Sequence, residues 1–287
     1  MTSTSAGHKA EVLTEALPYI RAFSGKMIVV KYGGAAMIDP ERARQFAEDI
    51  VLMQYVGMLP IVVHGGGPQI SAMMKRLGKE PQFIDGVRVT DTATMEIVEM
   101  VLAGRINKEI VTAIQQCGGR AVGLTGKDGA LLQAEKIKGF DNDNVGHVGA
   151  VTAVDPTVLN TLEAGGFIPV ISPIGSDLQG VTYNINADQA AGAIAVTIQA
   201  EKFIILTDVP GILDREKTLI STLSPKEVGR LIKSGAITGG MLPKVAAALA
   251  AVESGVRKAH IIDGRVPHAL LLEILTSEGV GTEILSC

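Results

Sequence analysis

The chain has 287 residues, 47% of them hydrophobic, a net charge of −4 and 3% aromatic residues with no Trp. That is enough apolar material for one large α/β domain or two lobes, while the acidic balance and scarcity of stacking rings argue against a nucleic-acid surface. Charges or glycines interrupt every apolar run well short of the ~18 residues a membrane span needs, so no membrane segment is expected. The start, MTSTSAGHKAEV, lacks the hydrophobic segment of a signal peptide, and the expectation is a cytoplasmic protein. Cys117 and Cys287 form no CxxC pair, and His8, His64, His147, His260 and His268 have no metal-ligand spacing, so no metal site is expected. A small-molecule ligand is the class that remains.

In chain order, AEVLTEALPYIRAF (10–23) places Val12, Leu13, Leu17, Ile20 and Phe23 near one face of a helix that Pro18 is expected to kink. A strand follows in MIVVKYGG (27–34), ending in glycines. DPERARQFAEDIVLMQYVG then reads as a helix with Asp39 as N-cap, Pro40 at its first position, and Phe46, Ile50 and Met53 on one face. IVV (61–63) leads through glycines into a helix from Pro68 to Leu77. Asp91 opens a long amphipathic helix carrying Met95, Val98, Leu102, Ile106, Ile110 and Ile114, which Gly118 and Gly119 stop. AVGLTG (121–126), FIPVIS (167–172), KFIILTD (202–208) and AHIID (259–263) read as buried strands, and SPKE (224–227) as a capping box with proline at the first helical position. Continuously apolar strands alternating with helices predict a parallel sheet covered on both faces. No repeat or linker is visible, apart from a distinct first segment of about twenty-four residues.

Ligands of such sheets gather at the carboxyl ends of the strands, where loops enter helices. KYGG (31–34) and HGGGPQI (64–70) place glycines at two of those points, so bare backbone N–H groups can approach an anion and share the field of the following helix. Tight turns and close packing also select glycine, but two such loops after two strands favour a phosphate. The familiar phosphate loops do not fit. Around LTGKDG (124–129), Ala121 stands where a Walker loop needs its first glycine and Asp128 where it needs a hydroxyl. A dinucleotide fingerprint read from Gly65 meets Ile70 in place of its third glycine, and the HRD and DFG elements of protein kinases are missing.

Taken together, KYGG, HGGGPQI, DGVRVTD (85–91), GLTGKDG (123–129), YNINADQAAG (183–192), LTDVPGIL (206–213) and GGMLPK (239–244) resemble the acetylglutamate kinases of the amino acid kinase superfamily, in order from about Lys26 to the C-terminus. KYGG alone is shared with aspartate, carbamate and uridylate kinases; RVTD with YNINAD and GGMLPK is narrower. The resemblance implies an α/β fold, an αβα three-layer sandwich with a central, mainly parallel sheet. It also implies an N-terminal lobe (about 25–180) that binds N-acetyl-L-glutamate, a C-terminal lobe (about 181–287) that binds ATP, and a kinked oligomerisation helix in residues 1–24. The implied activity is phosphorylation of the γ-carboxylate of N-acetyl-L-glutamate, the second step of arginine biosynthesis, with Mg2+ brought by ATP.

A γ-carboxylate is already ionised at neutral pH, so this reaction needs cations and N–H donors against charge repulsion rather than a general base. By the resemblance, Lys31 and Lys244 are those cations and Asp188 positions both. Gly33, Gly34, Gly66 and Gly67 complete the cradle, the latter pair bordering the acceptor, where a side chain would take space needed by substrate and phosphate. Arg88, whose planar guanidinium can bind both oxygens of a carboxylate, clamps the acceptor, with the amides of Asn184 and Asn186 beside it. Asp208, Val209, Pro210, Gly211, Ile212 and Leu213, with Ala236, Ile237 and Thr238, match the nucleotide-contacting segments. Read singly, Lys31 and Lys244 are equally well solvated lysines, Asp188 a helix N-cap, and Arg88 the partner of Asp85 or Asp91 in a surface salt bridge. Lys202 and Lys217 read as solvated, and His64 as a packed, hydrogen-bonded histidine outside the chemistry. The segment 135–151 varies in length in the family, and its strand pairing is left open.

The resemblance reaches regulation as well. Arginine-inhibited members exchange a kinked N-terminal helix between neighbours, joining three dimers into a hexamer, and this chain is similar to them, including HALLLEILTSEGVGTEI (268–284). His268, Glu278 and the backbone near Gly281 would hold arginine, with Tyr19 closing the site. Nothing in the sequence indicates a nitrogen-signalling PII partner. Two other readings stand beside this one: a sibling kinase acting on aspartate, carbamate or uridylate, and a catalytically silent arginine- or nucleotide-binding regulator. Arg88 with YNINAD tells against the first, and the presence of Lys31, Asp188 and Lys244 against the second.

Overall fold

The computed structural model describes residues 6–37, 39–139, 145–214, 216–277 and 279–286. An eight-stranded sheet runs through it, with strands in the spatial order Thr222–Leu223, Thr282–Leu285, Lys258–Asp263, Lys202–Thr207, Met27–Tyr32, Leu59–His64, Ile168–Ser172 and Ala121–Thr125. The pairing of Lys258–Asp263 with Thr282–Leu285 is antiparallel and the others are parallel. The apolar runs read from the sequence account for six of these strands. The two they miss, Thr222–Leu223 and Thr282–Leu285, are short and lie together at one edge, where little apolar pattern is needed.

Strand alternation assigns the faces. Ile28, Val30 and Tyr32 enter the core on one side of the sheet and Val29 the core on the other, so Lys31 points with Val29 to the second side. Helices Pro40–Tyr55, Gly67–Arg76, the run 92–116 and Ala269–Leu275 cover the first face; Thr157–Ala164, Ala187–Thr197, Pro225–Lys233 and Met241–Glu253 cover the second. These are the three layers of the expected sandwich. Asp39 accepts the Glu41 N–H as N-cap, and Ser224 with Glu227 forms the capping box. A smaller closed sheet is built from Leu132–Lys136, Val148–Val154, Ile174–Ser176 and Thr182–Ile185, and a hairpin pairs Phe83–Ile84 with Val87–Arg88. The pairing left open across 135–151 is thus Leu132–Lys136 antiparallel to Val148–Val154.

The long helix after Asp91 differs from expectation in one respect: Met100–Ile106 forms a π-helical stretch. From Val98 to Ile114 its apolar residues recur at 98, 102, 106, 110 and 114, a longer repeat than the ~3.6 residues of an α-turn. A regular helix would carry them round its axis. The wider π turn returns them to one face, and all five are buried.

The first helix, Ala6–Phe23, contains Pro18. Phe23 packs against the first core, whereas Leu13 and Leu17 are exposed, so the apolar stripe is only partly covered. Among the described residues no helix is long and apolar enough to cross a membrane. Strands from before residue 180 occupy one half of the sheet and those after residue 200 the other, the halves meeting where Met27–Tyr32 pairs with Lys202–Thr207. That junction, where strand order reverses, is where such sheets open a crevice at their carboxyl ends.

Candidate active site

At this junction the loop after Tyr32 meets the loop after Thr207. Gly34 has φ +73, a conformation that favours glycine, and its missing Cβ would lie 3.9 Å from the Asp208 nitrogen. Lys31, at the end of the first core strand, projects toward helix Ala187–Thr197. Its Nζ lies 2.9 Å from Asp188 Oδ1, and Lys244 Nζ, from helix Met241–Glu253, donates to Asp188 Oδ2 at 3.2 Å. Lys31 and Asp188 are buried. Asp188 is free for this role because Asn186 caps the helix, its side chain accepting the N–H groups of Asp188 and Gln189.

Burial pushes the Asp188 carboxyl up, yet the two ammonium groups outweigh it and hold the group below the usual carboxylate range. Burial lowers the Lys31 ammonium, with Asp188 opposing and Lys244 adding to the effect. One carboxylate between two cations leaves an excess of positive charge, offset in part by the exposed Asp208. Gly33 makes room for the Lys31 ammonium, since a Cβ there would stand 2.9 Å from Lys31 Nζ.

Beside this group opens a cavity of about 750 Å³, bounded by Gly65 to Gly67, the hairpin, the small sheet and Gly239 to Pro243. The glycines of its floor are bare for different reasons. A Cβ on Gly67 would meet nothing within 4 Å and would stand in open space, as expected if that space serves a ligand. A Cβ on Gly66 would instead run into Leu102 and Ile106 of the π stretch. At Gly66, which also lines the cavity, close packing against the helix is thus a further reason for glycine beside the expected need for substrate space.

Arg88 stands at the cavity wall, 8% exposed. Its Nη2 donates to Gly67 O and Ser71 Oγ, both at 2.8 Å, Nη1 lies 3.3 Å from Met74 Sδ, and the guanidinium sits 4.7 Å over the Phe83 ring. Among the described residues it has no acidic partner; Asp91 pairs with Lys79 at 2.6 Å instead. Arg88 is thus a second buried cation facing the cavity. Asn184 also lines it, with Nδ2 donating to Thr90 Oγ1 at 3.3 Å, as does Asn186.

Of the segments expected to contact the nucleotide, 208–213 follows the strand Lys202–Thr207 at this edge, but not every side chain is available. Asp208, Pro210 and Thr238 are exposed, Val209, Leu213 and Ala236 half-buried. Ile212 and Ile237 lie in the core of the second face and can offer only backbone. Ile212 N–H donates to Thr282 Oγ1 at 2.8 Å, and Gly211 is packed against Leu219 and Thr282.

The residues expected to hold arginine are less closely grouped. His268 Nδ1 lies 2.6 Å from Asp49 Oδ1, so this ring faces helix Pro40–Tyr55; burial raises the Asp49 carboxyl to about 6 against the pull of His268. Gly281 is packed on Ile261 and Ile262, Tyr19 is half-buried, and Glu278 lies outside the described residues. Lys202 is corrected from solvated to buried, at 5% exposure. Its Nζ lies 5.0 Å from the centre of the Phe23 ring and 3.1 Å from His260 Nε2. His260 Nδ1 contacts Glu273 Oε1 at 2.6 Å, and Glu273 Oε2 accepts the Val280 N–H at 2.7 Å. This group beneath the first helix escaped the sequence reading. The available signal was a polar residue facing inward within otherwise apolar strands, KFIILT and KAHIID.

A buried aspartate holding two lysines beside glycine loops, at the carboxyl edge of a parallel sheet, suits an anionic phosphoryl group. The chain belongs to the amino acid kinase family, whose family model matches residues 26–263. Within that family it is similar to acetylglutamate kinases over nearly its whole length. It is 54% identical over 290 residues to the acetylglutamate kinase of Thiobacillus denitrificans, covering 99% of each chain, and 57% identical over 284 residues to that of Halorhodospira halophila, covering 96% of this chain and 95% of the other. It is also similar to N-acetylglutamate synthase from Neisseria gonorrhoeae, solved with coenzyme A and N-acetyl-glutamate, with a TM-score of 0.85 and 28% identity; the match covers 96% of this chain but 63% of the synthase chain. The same synthase complexed with coenzyme A and L-arginine matches with a TM-score of 0.83 at 26% identity, over 97% of this chain and 65% of that one.

Proposed function

We propose that the protein transfers the γ-phosphoryl group of ATP to the γ-carboxylate of N-acetyl-L-glutamate, giving N-acetyl-L-glutamyl 5-phosphate and ADP, in the cytoplasm, as the second step of arginine biosynthesis. The observation that carries this reading is the pair of lysines, Lys31 buried and Lys244 half-buried, on one buried aspartate beside the cavity, 2.9 and 3.2 Å from its oxygens. A carboxylate oxygen of the substrate attacks the γ-phosphorus; the new O–P bond forms as the bond to the β-γ bridging oxygen breaks, and ADP leaves with that electron pair. No proton need move. Charge gathers on the transferred oxygens and the leaving oxygen, where Lys31, Lys244 and the glycine N–H groups offset it. Arg88 binds the other carboxylate of the acceptor, and Asn184 its amide. The nucleotide lies along Gly33, Gly34, residues 208–213 and residues 236–238. Mg2+ would come with the nucleotide, bound by its phosphates, whose charge it neutralises. ADP release from ATP and Mg2+ with N-acetyl-L-glutamate, set against aspartate, glutamate, carbamate and uridylate, is the test. Turnover of any of these in preference to the acetylated acceptor would overturn the reading.

Feedback by arginine and assembly into a hexamer of three dimers belong to the same proposal. Exposed Leu13 and Leu17 on the first helix support a partner surface, and a buried group carrying both charge signs, Lys202, His260 and Glu273, lies beneath Phe23 of that helix. Deleting residues 1–24 should leave an active dimer with weakened arginine inhibition, read by sedimentation and inhibition curves. Comparing Glu273→Gln with Glu278→Ala then identifies which carboxylate meets the cationic end of arginine.

A further inference from the structure

His64 ends the second core strand and is fully buried, yet the transfer chemistry does not use it. Its Nδ1 lies 2.9 Å from Gly65 O, and its Nε2 lies 3.2 Å from Asn107 Nδ2. Asn107 is itself buried, directly after the π stretch. Its amide orientation is fixed from both sides. Nδ2 donates to Val170 O at 2.9 Å and lies 3.3 Å from Leu124 O, while Oδ1 accepts from Lys108 Nζ at 3.1 Å. Gly123 is bare where Asn107 crosses the strand, since a Cβ there would collide with the amide.

An amide nitrogen only donates, so His64 Nε2 must present its lone pair to Asn107 and the ring proton must sit on Nδ1. Burial keeps the ring neutral, driving its pKa down to about 4. The Nδ1–H therefore donates to the Gly65 carbonyl. Because the Gly65 to Gly66 peptide is planar and trans, its N–H points opposite to that carbonyl, away from the ring. Gly65 N–H is tied to Tyr32 O at 2.9 Å, and Gly66 begins a helix with no side-chain cap. The same loop forms the cavity floor.

We propose that His64 and Asn107 are positioning residues for phosphoryl transfer: Asn107 sets the His64 tautomer, His64 anchors the Gly65 carbonyl, and the Gly66 N–H is thereby aimed at the charge that develops in the cavity. Leu102 and Ile106 press on Gly66 from the π stretch, so the irregular turn supplies the wall that holds the loop and the residue directly after it supplies the amide that sets the ring. The proposal rests on the kinase reading given above.

The test uses the full chain with ATP, Mg2+ and N-acetyl-L-glutamate. His64→Leu removes the donor and should lower kcat by roughly tenfold to a hundredfold, the scale of a misaligned donor, with both KM values changed by less than about twofold. His64→Asn, whose amide nitrogen can take the place of Nδ1, should recover most of that loss. Nitrogen NMR of the wild-type imidazoles at neutral pH reads the tautomer independently of activity, and the signals lost in His64→Asn identify the ring. A protonated Nδ1 with bare Nε2 is expected, giving way to mixed tautomers in Asn107→Leu. Full kcat in His64→Leu, equal losses in the Leu and Asn variants, or a protonated Nε2 in the wild type would each overturn the proposal. Failure of the kinase reading looks different: the wild type would not turn over N-acetyl-L-glutamate, while the tautomer would be as stated.

Discussion

Two buried groups of charges sit on opposite faces of the same sheet. On one face, Lys31 and Lys244 share Asp188; on the other, Lys202 and Glu273 bracket His260. Both are largely buried and both are held by close polar contacts, so burial does not separate them. Charge balance does. Burial lowers the pKa of His260 despite the opposing Glu273, leaving one cation and one anion in that group. The first group has two cations for one anion, and an unpaired buried charge is tolerated chiefly where a ligand completes it. Arg88, buried on the cavity wall and without an acidic partner among the described residues, extends the same imbalance.

The largest break in that comparison should come from the lysines. Lys31→Ala and Lys244→Ala are each expected to lower kcat by roughly a hundredfold to a thousandfold, the effect of losing one electrostatic contact in the transition state. Circular dichroism and thermal midpoints should stay close to wild type, because each variant reduces the charge excess. Asp188→Asn makes the opposite change. It leaves the buried Lys31 and the half-buried Lys244 without the carboxylate they share and should destabilise the fold by about 3 kcal/mol in urea titration. A stable, active Asp188→Asn would show that the imbalance is not what defines the site.

Lys31, Asp188 and Lys244 were reached through the resemblance of KYGG, NINAD and GGMLPK to a known family, since each read singly had an ordinary alternative. The sheet was legible locally, continuous apolar runs marking six of its strands. The Asp39 and Ser224 caps were readable for the same reason. What stayed hidden depends on contacts distant in sequence. Nothing near Gly66 reveals that Leu102 and Ile106 occupy its Cβ position, and nothing near Lys202 reveals Glu273 seventy-one positions later. The π stretch lies between these cases: its four-residue repeat was in the sequence, and only its geometric consequence was missed.

Arg88→Lys sharpens the comparison at intermediate size. Lysine keeps the positive charge but cannot donate to Gly67 O and Ser71 Oγ while presenting a planar fork to a carboxylate. The KM for N-acetyl-L-glutamate should rise roughly tenfold to a hundredfold, the value of one charge-assisted hydrogen bond, with the KM for ATP nearly unchanged. Equal shifts in both constants would assign Arg88 to the scaffold, and the buried excess of charge would then belong to the lysines alone.

The smallest effect is expected at Lys202. Burial, with Lys258 adding, brings its ammonium pKa down to about 8 from the ordinary 10.5. Between these values the unfolded chain holds a proton that the folded chain has released, so stability rises with pH across that window and levels off below it, where both states are protonated. The shift corresponds to about 3 kcal/mol. Lys202→Met keeps an unbranched apolar stem over Phe23, loses the donor to His260 Nε2 and removes the charge whose burial is unfavourable. These changes oppose one another, and stability at neutral pH should move by no more than about 2 kcal/mol. Lys31 titrates in the same direction, so the wild-type curve alone does not isolate Lys202; the difference between wild type and variant does. That difference should grow between pH 8 and 10.5 and be flat below, with kcat within about twofold of wild type. A loss of kcat approaching that of Lys31→Ala would mean that the balanced group takes part in the reaction after all.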